Sequence, residues 1–93
     1  MELKKTQRGF SKIEFKDRYG VSCSLQKSSL ADEDCIWLGV DQIKPEILHE
    51  GKWIPYPIPT DVFLSSRMHL TQEQVKDLLP YLLHFAEKGE LSS

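Results

Sequence analysis

Arg67 and His69 stand two residues apart in the run VFLSSRMHLTQEQV, and in an extended chain that spacing aims a guanidinium and an imidazole at the same side. Together they offer charge and directed hydrogen bonds to a phosphate or carboxylate. Phe63 shares their period-2 face and is the expected stacking floor. Thr71 reads as a helix N-cap, with Gln74 completing a capping box. The free N–H groups of that helix start are expected to add to the anion site. Gln26, Ser28 and Ser29 form a second polar group suited to phosphate or ribose oxygens, although such serines also serve as ordinary turn residues. Trp37, between Ile36 and Leu38, reads as core. Trp53, beside Lys52 and near three prolines, reads as exposed and is assigned to ligand stacking or to an oligomer contact.

Catalytic patterns are missing from the sequence. It has no nucleophile elbow, no HExxH and no phosphate-cradling glycine loop. His49, His69 and His84 are far apart and pair with no cysteine at metal spacing, and the Asp32-Glu33-Asp34 run lacks the spacing of a calcium loop. The expectation is a binding protein with no catalytic residue, no metal and no cofactor.

The 93 residues carry 12 Lys and Arg against 14 Asp and Glu, a formal charge of −2, which gives no general footprint for nucleic acid. Cys23 and Cys35 have neither redox nor zinc spacing, so two buried free thiols in a reducing, intracellular setting are expected. No window approaches the ~20 apolar residues of a membrane span. The chain reads as soluble and unexported.

The elements that must position these groups follow from pattern. Residues 1–8 read as a flexible polar arm ahead of a single domain spanning 1–93. Phe10 to Lys16 and Val21 to Gln26 alternate as a hairpin around Asp17-Arg18-Tyr19-Gly20, and Cys35 to Val40 forms a further strand. Pro45 to His49 reads as a helical turn, followed by a Glu50-Gly51 turn and an extended edge from Trp53 to Ile58. Val62 to Leu70 is the last expected strand, and Gln72 to about Lys88 the helix, closed by Gly89. The class is α+β: a small antiparallel sheet of four to five strands packed against a C-terminal helix kinked at Pro80. A domain this small, with Trp53, Ile54, Tyr56 and Ile58 hard to cover, is expected to form a homo-oligomer, a dimer or a multiple of dimers.

The runs FKDRYGVSCSLQKSSLADEDCIWLGV, WIPYPIPTDVFLSSRMHL and LTQEQVKDLLPYLLHFAEKGEL resemble a family of small phage and prophage proteins usually left without a function. The similarity spans roughly residues 13–91, with DRYG, SLQ-SSLA and RMHLT its distinctive elements. What the resemblance implies is a phage context and the cytoplasm of the infected bacterial host. By analogy it implies an anti-defence sponge that sequesters a nucleotide-derived immune signal, of the cyclic oligonucleotide or cyclic ADP-ribose type, without cleaving it. The alternative is a phage protein that inhibits or regulates by binding a host protein.

Overall fold

The computed structural model describes residues 1–91. Its centre is an antiparallel sheet of β1 (Leu3–Lys5), β2 (Ser11–Lys16), β3 (Ser22–Lys27), β4 (Cys35–Val40) and β7 (Arg67–Thr71), in the order β1-β2-β3-β4-β7. β5 (Glu46–His49) and β6 (Lys52–Pro55) form a separate hairpin, and α1 (Gln72–Lys88) ends the fold. This is the α+β class read from the sequence. No helix among the described residues is long and apolar enough to cross a membrane.

The β2–β3 turn is closed by Asp17, whose carboxylate accepts from the N–H groups of Tyr19 and Val21 at 2.8 and 3.0 Å. Gly20, at φ 80°, takes the left-handed position that such a turn needs. The resulting register pairs Ile13 with Leu25 and Phe15 with Cys23. β4 pairs Leu25 with Leu38 across β3, and β7 pairs Leu38 with Met68. One sheet face is therefore apolar, and the alternate positions put Lys12, Gln26, Trp37 and His69 in one row on the other.

Four expectations are corrected. Residues 1–8 are not a free arm: Leu3–Lys5 pairs with Ser11–Ile13, and a turn is closed by Thr6, whose N–H donates to Phe10 O at 2.8 Å. An edge strand held by backbone bonds and carrying lysines needs no apolar alternation, so pattern could not reveal it. Residues 45–49 form no helical turn. Glu50 and Gly51, at φ 49° and 75°, make a two-residue turn that pairs His49 with Lys52 and Leu48 with Trp53. The last strand starts at Arg67, not Val62, because β4 offers pairing only from Cys35 to Gly39. The helix is not packed over the sheet: its contacts are with β7, and Pro80 lies inside it.

Thr71 caps α1 as the sequence predicts. Its hydroxyl accepts from Gln74 N at 3.1 Å and its own N–H donates to Gln74 Oε1 at 3.0 Å. Gly89, in the left-handed region, closes the other end with its N–H on Phe85 O. The two cysteines are free and buried, also as expected. They are the only buried hydrophobic residues among those described, and the most enclosed side chain is Ser24, whose hydroxyl donates to Asp41.

Candidate ligand-binding site

The site is a consequence of strand register. Across the polar face, Lys12 stands opposite Gln26, Gln26 opposite Trp37, and Trp37 opposite His69. The imidazole of His69 lies flat on the Trp37 indole, with ring centroids 3.8 Å apart and planes 7° from parallel. Its Nε2 meets Ser28 Oγ at 3.0 Å. Ser28 is buried, and its oxygen also accepts from Leu30 N at 3.3 Å, so the hydroxyl is fixed in place under the ring. A hydroxyl both donates and accepts, so this contact accommodates either imidazole tautomer.

Arg67 lies one row along, opposite Gly39. Its guanidinium carbon is 5.5 Å from the centre of the Trp37 ring, within cation–π range, and Nη1 donates a long bond of 3.4 Å to Gln26 Oε1. Gly39 makes this possible. At φ 149°, a Cβ there would lie 2.7 Å from the Ser66 carbonyl oxygen and 2.9 Å from Arg67 Cα. The bare backbone lets β7 close up on β4 at the position from which Arg67 reaches the indole.

Further basic groups extend the row toward β1. A shallow cleft is lined by Arg8, Phe10, Lys12, Gln26, Ser29 and Trp37, with Arg8 stacked 5.8 Å from the Phe10 ring centre. Glu14 sits between Lys12 and Lys4, each at 3.3 Å, and its bonds to Lys12 and then Lys4 hold its carboxyl below the usual carboxylate range. Lys4, Lys12, Arg8 and Arg67 against Glu14 and the Asp41 carboxylate, which Ser24 holds on the same face, leave a net positive strip on a protein of net charge −2. A guanidinium or ammonium on either side of an aromatic stack, with a hydroxyl and an amide between, can hold a flat ring and an attached anion.

Five of the seven sequence-derived residues meet here: Arg67, His69, Gln26 and Ser28 through direct contacts, and Ser29 at the cleft. Phe63 and Trp53 do not. Phe63 lies in the irregular segment before β7, 89% exposed, and Trp53 is on the separate hairpin; neither joins the ring or hydrogen-bond contacts of the site. The aromatic wall is Trp37, which its apolar neighbours disguised as core. Arg8, Phe10, Lys12 and Gly39 were also missed, and only the β2 alternation, which turns Lys12 and Glu14 to one side, hinted at them.

The helix start does not join the Arg67 and His69 cluster as the sequence suggested. The N–H groups of Thr71, Gln72 and Gln74 go to Gln74 Oε1, Asp34 O and Thr71 Oγ1. Asp32, Glu33, Asp34 and Glu73 surround that corner and would repel an anion. No group of three metal-ligating side chains occurs among the described residues.

No protein-family model, curated protein or solved structure matches the chain.

Proposed function

We propose that this protein binds and sequesters a small anionic ligand of the nucleotide class without transforming it, as a phage anti-defence sponge for a cyclic oligonucleotide or cyclic ADP-ribose type signal. The observation that carries the reading is the Arg67, Trp37, His69 and Ser28 cluster, in which a cation and an aromatic stack share one sheet face. A base extends the stack from the exposed side of His69, and its phosphate oxygens meet Arg67, with Lys12 and Arg8 within the same strip. Ser28 holds the His69 ring, and the Gln26 amide is the group that would orient the ligand. The phage assignment itself rests on sequence resemblance.

The test is native mass spectrometry of the protein with ADP-ribose isomers and cyclic dinucleotides, followed by heat release and analysis of the ligand. A sponge returns the ligand at unchanged mass. Arg67→Ala weakens binding about 10- to 150-fold, the equivalent of ~1.5–3 kcal/mol for a charge-assisted hydrogen bond, and Arg67→Lys restores part of it. Release of a cleaved product, or normal binding by Arg67→Ala, refutes the reading. A second reading, binding to a host protein, is favoured by the β5–β6 hairpin, where Trp53 is 65% and Leu48 56% exposed. Its signature is capture of a host protein that is lost in Trp53→Ala and retained in Arg67→Ala.

A further inference from the structure

The junction between β7 and α1 contains no linker. β7 ends at Thr71, which is itself the N-cap, and its φ of −76° and ψ of 163° are held by both capping bonds. Gln72 N–H is tied to the Asp34 carbonyl at 3.2 Å. Turning a helix back over the sheet it follows takes a loop of several residues. With none, α1 leaves from the β7 edge: Val75 and Leu79 of its first turns face Ile36 and Leu70 across an open cleft, but the stripe beyond has no sheet beneath it, and Leu82 and Phe85 are each 54% exposed. The sheet has the reciprocal lack. Its apolar face, built on Ile13, Leu25, Leu38 and Met68, has no helix over it, and Met68 is 56% exposed.

The deficit is large. A folded monomer of 10.8 kDa exposes roughly 5,500 Å², whereas this chain exposes 8147 Å². Its radius of gyration is 16.5 Å against about 12 Å for a compact chain of this length. The excess, roughly 2,600 Å² per chain or about 5,200 Å² for a pair, includes the exposed β5–β6 hairpin and still leaves room for the roughly 2,000–5,000 Å² that an obligate dimer buries in total.

We infer that two copies exchange helices, the α1 of each lying on the apolar sheet face of the other about a two-fold axis. The occupant is a second copy because the chain carries both halves of the missing layer, an apolar helix without a sheet and an apolar sheet without a helix. One reciprocal contact satisfies both, as an isologous interface requires. The lengths agree: a helix of 17 residues is ~25 Å long and strands of six residues ~20 Å. This inference stands apart from the ligand reading, and its test needs no ligand.

Sedimentation velocity of the full chain at about 10 μM, where an obligate interface is saturated, gives a dimer or a multiple of it. Leu82→Glu on the helix and Met68→Lys on the sheet each reduce the assembled fraction severalfold. An equimolar mixture of the two variants, co-refolded, regains assembly and far-UV signal, because a mixed dimer retains one unaltered helix-on-sheet contact. If either variant fails to fold alone, recovery of the folded signal only in the mixture reports the same contact. A folded wild-type monomer, full assembly of either single variant, or a mixture without recovery overturns the inference.

Discussion

Replacing Gly39 by alanine tests the register on which the site depends. The added methyl would stand 2.7 Å from the Ser66 carbonyl oxygen and 2.9 Å from Arg67 Cα, both backbone atoms that no side-chain rotation can move aside. Overpacking of this kind costs ~1–3 kcal/mol, and φ of 149° adds strain that alanine tolerates poorly. The gain from a stiffer unfolded chain, ~0.4–1 kcal/mol, offsets only part. A net loss of about 2 kcal/mol lowers Tm by roughly 8–16 °C in a domain of this size. Gly20→Ala is the control: Gly20 also has positive φ, at 80°, but nothing lies within 4 Å of its Cβ position, so only the backbone term of ~1–2 kcal/mol remains. The assay is thermal unfolding followed by circular dichroism, with all variants at one chain concentration. A Gly39→Ala protein that melts at or above Gly20→Ala would show that β7 does not press on β4 at this point, and the close approach that places Arg67 would go with it.

Thr71→Ala removes the hydroxyl that accepts from Gln74 N and costs about 1 kcal/mol, whereas Thr71→Ser keeps it; equal denaturant midpoints for the two would exclude the capping box. Burial pushes the Cys23 and Cys35 thiols up, with nearby acids adding to it. Native protein at pH 8 should react slowly with an aromatic disulfide reagent and unfolded protein fast. Because the folded-state values lie above the unfolded ones, the associated stability is present below the ordinary thiol range and is lost as pH rises through it. Urea midpoints measured from pH 8 to 10 should therefore fall, and fall less in the Cys23→Ala/Cys35→Ala protein; parallel slopes would contradict the burial.

How far the sequence could be read depended on whether an element's partners were local. Cys35 to Val40 was legible to the residue, since a short apolar run rich in strand formers has few other fates. The α1 bounds were legible because cap and C-terminal glycine are local signals, and the shared face of Arg67 and His69 needed only the two-residue period. β1 carried no such signal, being held by backbone pairing alone. Trp37 was misjudged because apolar neighbours say which strand a residue is on, whereas its row partners Gln26 and His69 decide what its ring faces. The helix start looked like an anion site until Asp34, 37 residues before Thr71, was folded beside it to take the Gln72 N–H.

The junction at Thr71 also sets the direction of α1. α1 is a lever fixed to the end of β7, and a tilt of about 5° at the junction moves the far end of a ~25 Å helix by about 2 Å. Arg67 and His69 lie on the same strand, four and two residues from that junction, with no loop between to absorb a displacement. A ligand held by the two side chains would therefore sit on the strand that also carries the helix. If the proposed ligand site and the proposed helix exchange both hold, they share β7, and any effect of one on the affinity of the other would be reciprocal.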